Sequence, residues 1–118
     1  MALYRQADLL VYTSAYDGIG LMVQEALHCG LPVLAPDVPP VNEWVGPDNG
    51  VLVPCRLDPS NQGVPFAWPD VSVAIDRVVR LGRDGIAALR SGCHRRLVDR
   101  QRAWREGWTA LLQEMKGK

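Results

Sequence analysis

The sequence lacks long apolar runs and a cysteine framework. None of its 118 residues belongs to an apolar stretch of the roughly 20 residues that a membrane-spanning helix needs. The first residues do not follow the basic-then-apolar order of a secretory signal. The three cysteines are odd in number, widely spaced and form no Cys-x-x-Cys pair, which is typical of a reducing compartment and disfavours a disulfide framework. We therefore expect a soluble, cytoplasmic protein.

The sequence also lacks an excess of charge of one sign. The formal net charge of zero gives no bulk field for nucleic acid or an anionic membrane. The charges are nevertheless segregated: residues 1–59 hold two basic and seven acidic side chains, and residues 60–118 hold eleven basic and six acidic ones. We favour the interpretation that the acidic half and the basic helical tail pair within the fold. The alternative is a basic face that docks on another domain or on lipid.

Three short apolar runs, at 8–13, 32–35 and 50–53, show no polar alternation. Such runs are typical of strands buried on both faces of a parallel sheet. Their order with the helical patterns predicts an α/β fold with right-handed crossovers. Three strands are too few for a complete doubly wound sheet, so we expect the chain to be a fragment that lacks upstream sequence.

The remaining segments are predicted from turn and cap signals. Gly30 is expected to end a helix over 21–29, and Asp70 to cap a helix that runs to Leu81. Residues 55–69, rich in proline and glycine, predict a variable loop. Helical pattern then continues over 84–115, with a break expected near Gly107 and with Trp104 and Trp108 expected to pack on a core. The arginines of this tail predict a solvated helix face: Arg95, Arg96, Arg100, Arg102 and Arg105.

The candidate site is a strand that runs into a glycine loop and then into a helix. Ligands of open α/β sheets bind at the carboxyl ends of the strands, where this loop lies. Free N–H groups and the dipole at a helix N-terminus favour an anion such as a pyrophosphate. Gly18 and Gly20 remove side chains that would hold a ligand away from the backbone. Because Val23 stands where a dinucleotide fingerprint has its third glycine, an ordinary tight turn stays open as the alternative.

Two carboxylates accompany this loop. Asp17 lies at its mouth, and Glu25 follows eight residues later on the flank of the helix. A carboxylate at Glu25 could accept hydrogen bonds from both hydroxyls of a ribose. The alternatives are a solvated glutamate and a turn-forming Asp17. The helix is expected to present one apolar face to the core, made of Leu21, Met22, Val23, Ala26 and Leu27, with His28 facing solvent on the opposite side.

The order and spacing of these motifs resemble the retaining GT-B glycosyltransferases of family 4, the glycosyl transferases group 1. The resemblance covers most of residues 3–54 and is thin beyond them. It implies a Rossmann-like parallel sheet with flanking helices, part of the C-terminal nucleotide-sugar-binding domain. The matching motifs are Tyr4-Arg5-Gln6-Ala7-Asp8, Asp17-Gly18-Ile19-Gly20-Leu21, Glu25-Ala26-Leu27, Gly30-Leu31-Pro32-Val33 and Asn49-Gly50-Val51-Leu52-Val53-Pro54.

The resemblance implies a role for each site residue. Glu25 would hold the ribose of the donor, and the loop residues Gly18, Ile19, Gly20 and Leu21 would contact the donor sugar and diphosphate. Asp17 would act as the catalytic carboxylate that contacts hydroxyls of the transferred sugar. Asp17 stands where the family has a glutamate and is one methylene shorter, and Ile19 replaces an aromatic residue. The shorter side chain of Asp17 bears on the choice of sugar or on the rate of transfer.

The implied function is hexosyl transfer from a nucleotide-sugar donor to an unknown acceptor, with retention of anomeric configuration. The resemblance implies neither a metal nor a cofactor, in keeping with the lack of an Asp-x-Asp pair and of a His/Cys cluster at ligand spacing. We expect the isolated chain to supply part of the donor site and to be inactive without an N-terminal acceptor domain.

Other partners and functions follow from the same features. We expect no nucleic-acid partner, and self-association through an exposed sheet edge is a further expectation. The main alternative is a non-catalytic Rossmann-like module that binds a nucleotide sugar or a partner chain. A glycoside hydrolase with Asp17 and Glu25 as its carboxylate pair is disfavoured, since a glycine loop before a helix suits a phosphate ligand better.

Overall fold

The computed structural model describes residues 2–58 and 66–118. Its elements alternate between helix and strand up to β3, after which a β-hairpin leads into one long helix. In chain order they are α1 Ala2–Gln6, β1 Leu10–Val11, α2 Leu21–His28, β2 Val33–Pro36, α3 Val41–Trp44, β3 Gly50–Val53, β4 Cys55–Asp58, β5 Phe66–Pro69 and α4 Val71–Lys116.

The three predicted apolar runs form one parallel sheet in the order β1-β2-β3. Leu10 pairs with Val33, and Val33 pairs in turn with Gly50, so the strands lie in direct register. The predicted α/β class and parallel sheet are therefore confirmed. The order also fixes where a ligand can bind, because the loops after all three strands leave from the same edge of the sheet.

Both faces of the sheet are covered, as a parallel sheet requires. Alternate residues of β2 point to opposite sides: Val33 and Ala35 belong to one buried cluster and Leu34 to another. α4 contributes to both clusters. The larger cluster contains Tyr12, Val23, Ala26, Leu27, Leu31, Val41, Val45, Cys93 and Leu97, and the smaller contains Val51, Val53 and Leu89 with Leu9, Ala74, Val78 and Leu81 beside it.

The first strand is less buried than predicted. β1 has only two residues, and Val11 is 59% exposed. Within the described residues β1 pairs only with β2, so its outer edge carries unpaired backbone groups. Burial on both faces was thus a correct expectation for β2 and a wrong one for β1.

The prediction of a loop over 55–69 is wrong at both of its ends. β4 and β5 pair antiparallel, with Cys55 opposite Pro69 and Asp58 opposite Phe66. The intervening residues 59–65 lie outside the described residues. The hairpin leads directly to Asp70, whose side chain accepts a hydrogen bond from the Val73 amide at 3.2 Å and caps α4 as predicted.

The long helix breaks at Gly82, between the predicted helix that ends at Leu81 and the predicted helical pattern that begins at 84. Gly82 has φ 61° and ψ −177°, a backbone conformation open essentially to glycine alone. Gly107 continues the helix, so the expected break there is wrong. The bend brings Leu81 and Leu89, on either side of Gly82, to the same buried cluster.

The two charge-segregated halves pair across the fold, as the favoured interpretation predicted. Each of three arginines of α4 meets a carboxylate from residues 1–59: Arg90 with Asp8 at 3.5 Å, Arg96 with Asp48 at 3.4 Å and Arg100 with Glu43 at 3.7 Å. These pairs are partly exposed, so each contributes little to stability. They dock α4 against the segment before β1 and against α3 and the turn that follows it.

The end of α4 extends away from the core. Leu97 is its last buried residue, and residues 101–118 are exposed. Trp104 is 67% exposed and stacks on Trp108 with 6.1 Å between ring centroids. The expectation that these tryptophans pack on a core is therefore wrong. Although α4 has 46 residues, it is too polar to cross a bilayer, and the other helices of the described part do not qualify either.

Candidate functional site

The glycine loop leaves the carboxyl end of β1 and enters α2. Gly20 is the N-cap residue of α2, with φ 68° and ψ 40°, a left-handed conformation that favours glycine. α3 supports the loop from behind, because a Cβ at Gly20 would contact Val41 and Trp44 at 3.9 and 3.8 Å. α3 therefore packs behind the residue at which the loop becomes helix.

The N-terminus of α2 has no side-chain cap. The first intrahelical hydrogen bond runs from the Gln24 amide to the Gly20 carbonyl at 3.1 Å, so the amides of Leu21, Met22 and Val23 precede the helical ladder. The start of α4 differs, since Asp70 caps it. The first turn of α2 consequently has three N–H groups and a dipole suited to an anion.

Gly18 gives a ligand access to the backbone. A Cβ added at this position would meet no atom within 4 Å, and the backbone there is not in the left-handed region. Neither packing nor backbone geometry therefore explains why this position is glycine. An open path to the loop amides is a physical reason for it.

Asp17 binds the loop internally. Its Oδ1 accepts hydrogen bonds from the amides of Ile19, at 3.0 Å, and Gly20, at 2.8 Å. The Tyr12 hydroxyl donates to Oδ2. The Tyr12 hydrogen bond and then the Gly20 amide lower the pKa of Asp17, with smaller contributions from the amides of Ile19 and Gly18, against a desolvation that raises it. Asp17 is thus a charged group at the mouth of the loop.

Glu25 lies just over one turn into α2 and faces α1. The Tyr4 hydroxyl donates to Glu25 Oε2 at a long 3.4 Å. Burial, followed by the Glu25 charge, raises the pKa of Tyr4, so this phenol is neutral and a donor. Across the described residues the Glu25 side chain makes no other hydrogen bond, which leaves Oε1 able to accept from a ligand.

The predicted site residues lie together, with one difference in the packing of the helix. Asp17, Gly18, Ile19, Gly20 and Leu21 form a single turn, and Glu25 follows on the same helix. The predicted core face is wrong for Leu21 and Met22, which are 54% and 50% exposed. Val23, Ala26 and Leu27 are the buried residues of α2 because their i, i+3 and i+4 spacing places them on one face, whereas Leu21 and Met22 lie outside it. His28 is exposed, as predicted.

The two phenols that donate to the carboxylates, Tyr12 and Tyr4, were not predicted from the sequence. Tyr12 was part of an apolar run and Tyr4 part of a short helix, and neither pattern marks a hydrogen-bond donor. The only signal in the sequence is proximity: Tyr12 lies five residues before Asp17 and is the last apolar-run residue before the loop.

A second cleft lies on the other side of α2 and was also missed. It has a volume of about 520 Å³. The Arg100 guanidinium covers one face of the Trp44 ring, 4.0 Å from its centroid, and also donates to the Glu43 carbonyl at 2.8 Å. Arg100 thus makes both of these contacts with residues of the same chain. The lining residues are Gln24, His28, Trp44, Leu97, Arg100, Gln101, Trp104 and Arg105.

No group of three or more His, Cys, Asp or Glu side chains among residues 2–58 and 66–118 is arranged to hold a metal ion. The groups at the loop that could bind a ligand are two carboxylates and the uncapped amides. Chemically this arrangement can bind an anion at the amides and hydroxyl groups at the carboxylates.

Comparison with known proteins identifies relatives over the same segment. The family model described as glycosyl transferases group 1 matches residues 1–62, which include the whole glycine loop and Glu25. The O-antigen chain mannosyltransferase B of Escherichia coli is 41% identical over 56 residues, covering 48% of this chain and 15% of that protein. The D-inositol 3-phosphate glycosyltransferase of Xylanimonas cellulosilytica is 36% identical over 110 residues, covering 92% of this chain and 23% of that protein.

A solved structure shows the same fold. The sucrose-phosphate synthase of Thermosynechococcus elongatus superposes with a TM-score of 0.60 at 24% sequence identity, over 92% of this chain and 27% of that one. The chain therefore spans about a quarter or less of the length of these relatives. The part that it spans is the α/β unit that carries the glycine loop.

Proposed function

Because the chain belongs to the glycosyl transferases group 1 family, with a GT-B-type fold, we propose that it supplies part of the nucleotide-sugar site of a sugar-transferring enzyme. The donor diphosphate would lie at the N-terminus of α2, its ribose against Glu25 and its sugar near Asp17. The proposal includes membership of family 4, hexosyl transfer and retention of configuration at the anomeric carbon.

The main support for this proposal is that α2 begins without a side-chain cap, directly after a loop that contains two glycines. The carboxylate of Asp17 accepts from the amides of Ile19 and Gly20 and does not cap the first turn. The amides of Leu21, Met22 and Val23 are left for a ligand. A diphosphate has the charge and the oxygen acceptors that match them.

The same amides provide the chemical step with its main stabilisation. Cleavage of the bond to the diphosphate gives the sugar oxocarbenium character and builds negative charge on the leaving group. Fixed N–H donors at the helix N-terminus stabilise that charge without reorganisation. No step of this proposal uses a metal ion. Asp17, held charged by its hydrogen bonds, lies where it could accept from a hydroxyl of the transferred sugar.

The proposal extends to partners and location. Transfer needs an acceptor and the second domain of a GT-B enzyme, so we propose that the 118-residue chain binds a donor without turning it over. We also propose that it works in the cytoplasm, in keeping with three cysteines of which none is in a disulfide within the described residues. Binding, and not turnover, is therefore the appropriate measurement on this chain.

Replacement of Gly18 by alanine tests the approach of the donor to the loop. In the free chain the new Cβ meets nothing within 4 Å, so we expect the melting temperature to stay close to that of wild type. A diphosphate bound against the loop would clash with the same Cβ. We therefore expect affinity for the donor to fall about tenfold or more, equivalent to about 1.4 kcal/mol. Calorimetric titration measures the affinity and a thermal melt the stability; equal affinity of G18A and wild type would contradict this placement of the donor.

A second candidate function is binding of a partner chain, here a second copy, at the free edge of β1. Val11 and a stripe of α4, namely Val71, Ile75 and Val79, form an exposed apolar groove of about 260 Å³ beside that edge. Unpaired strand edges next to apolar surface favour association.

Replacement of Ile75 by aspartate is expected to abolish this self-association. Ile75 lies mid-groove and is 58% exposed, so a charge there would be buried only in the dimer. Light scattering after size exclusion should show a concentration-dependent dimer for wild type and for the control V98D, outside the groove, and a monomer for I75D. A monomeric wild type at all concentrations would refute the candidate.

A further inference from the structure

The hydrogen bonds of Asp17 limit what its carboxylate can still bind. An ionised carboxylate has about four acceptor positions in total. The amides of Ile19 and Gly20 occupy two of them, and the Tyr12 hydroxyl occupies a third. At most about one position therefore remains for a ligand, since the Gly18 amide also interacts with this carboxylate.

Tyr12 is a rigid support for this carboxylate. Its backbone amide donates to the Leu34 carbonyl at 2.8 Å, so the residue continues the pairing of β1 with β2. Its ring is buried in the larger core cluster and only 7% exposed. The sheet thus fixes the backbone and the core fixes the ring, and the phenol oxygen has little freedom to leave Asp17.

Glu25 contrasts with Asp17. Among residues 2–58 and 66–118 its carboxylate accepts a single long hydrogen bond, from Tyr4 of the short and largely exposed α1. About three of its acceptor positions remain, enough for both hydroxyls of a ribose. The two carboxylates of the site therefore differ in how much of a ligand they can contact.

We propose that Tyr12 is a positioning residue that fixes the Asp17 carboxylate on the glycine loop and leaves it a single acceptor position, so that Asp17 contacts one hydroxyl of the donor sugar. The fixing of Asp17 is a property of the free chain. The contact with one hydroxyl rests on the proposed function above.

The first test is Tyr12→Phe in the full 118-residue chain, with the Asp17 pKa measured by carboxyl ¹³C NMR. Phenylalanine keeps the ring in the core and removes only the donor. We expect the pKa of Asp17 to rise towards its ordinary value, because Tyr12 is the largest cause that lowers it. The groups facing Asp17 are Tyr12, to which the Ser14 side chain also bonds, and the amides of Gly18, Ile19 and Gly20. An unchanged Asp17 pKa in Y12F would refute the positioning role.

The sign of the pH dependence follows from the lowered pKa. The contribution of Asp17 to stability is fully present above the unfolded-state pKa of about 3.9 and is lost as the pH falls through the lower native value. Y12F should lose part of this contribution at neutral pH and show a weaker dependence on pH in the acid range.

Two controls separate this role from general damage to the core. Tyr4→Phe removes the other phenol and should leave the Asp17 pKa at its wild-type value. Hydrogen exchange of the Ile19 and Gly20 amides should be faster in Y12F than in wild type, and Y12F should have no such effect in an Asp17→Asn background. A Y4F chain that shifts the Asp17 pKa as much as Y12F does would contradict the specific role of Tyr12.

The second test addresses the sugar with UDP-glucose, GDP-mannose and deoxy analogues of whichever binds. Asp17→Asn should weaken the binding of every analogue except the one that lacks the contacted hydroxyl. If two different analogues each bind D17N as tightly as they bind wild type, the single contact is refuted. If wild type binds none of the nucleotide sugars, the proposed function and the sugar contact fail together, while the pKa of Asp17 in Y12F still decides the role of Tyr12.

Discussion

Replacement of Glu25 by alanine is expected to weaken binding of a nucleotide sugar roughly 10- to 150-fold. Hydrogen bonds to charged groups contribute about 1.5–3 kcal/mol, and the loss of one such net contribution corresponds to that range. Glu25 is half-buried and is held only by Tyr4 within the described part of the chain, so its loss should leave the fold intact. Titration calorimetry should show equal losses of affinity for the nucleotide sugar and for the free nucleotide, since the ribose is common to both.

His28→Ala is the matched control for Glu25→Ala. His28 lies on the same helix, is exposed and bonds to the Gln24 carbonyl at 2.8 Å. H28A should bind the donor as wild type does. If Glu25→Ala retains full affinity and circular dichroism shows that it is folded, Glu25 does not bind the donor.

Replacement of Gly92 by alanine is expected to destabilise the chain by about 2–3 kcal/mol, the upper part of the range for overpacked cores. Gly92 is buried where α4 crosses the turn before β3. A Cβ there would overlap the Asp48 carbonyl oxygen and lie 2.5 Å from its carbon and 3.2 Å from the Asn49 amide nitrogen. These are backbone atoms and cannot rotate away, so α4 must shift. We expect a melting temperature lower by roughly 10 °C.

Gly107→Ala is the control that isolates this clash. Gly107 is in the same helix and is exposed, and a Cβ added there would meet no atom within 4 Å. Alanine there should stabilise the chain by up to about 1 kcal/mol through helix propensity. If G92A melts at or above the temperature of wild type, the close approach of α4 to Asp48 is not a feature of the protein.

Local sequence signals were sufficient for the sheet and for several element ends. The unalternating apolar runs identified β2 and β3, because both are buried on two faces by covering helices. Gly30, with φ 72°, ends the α2 region, and Asp70 caps α4, since both depend on one residue and its immediate backbone. The order of loop, helix and carboxylates was likewise sufficient to indicate a donor site, and the roles of those residues stay predictions.

Features that depend on distant residues could not be predicted. The break after Leu81 was predicted, but the further break expected near Gly107 was wrong, because an isolated glycine can continue a helical pattern. β4 and β5 are extended by their mutual pairing across a proline-rich segment. Tyr12 shows only as an apolar-run residue until the fold brings its hydroxyl to Asp17.

The most direct test of the central claim is saturation-transfer NMR on the 118-residue chain with UDP, GDP, ADP and their common sugar conjugates, run beside Gly18→Ala and Glu25→Ala. Selective transfer to one nucleotide sugar that is lost in both variants is the result that we predict. Absence of transfer to every probe, from a chain shown to be folded, would contradict the claim that the glycine loop and α2 bind a donor.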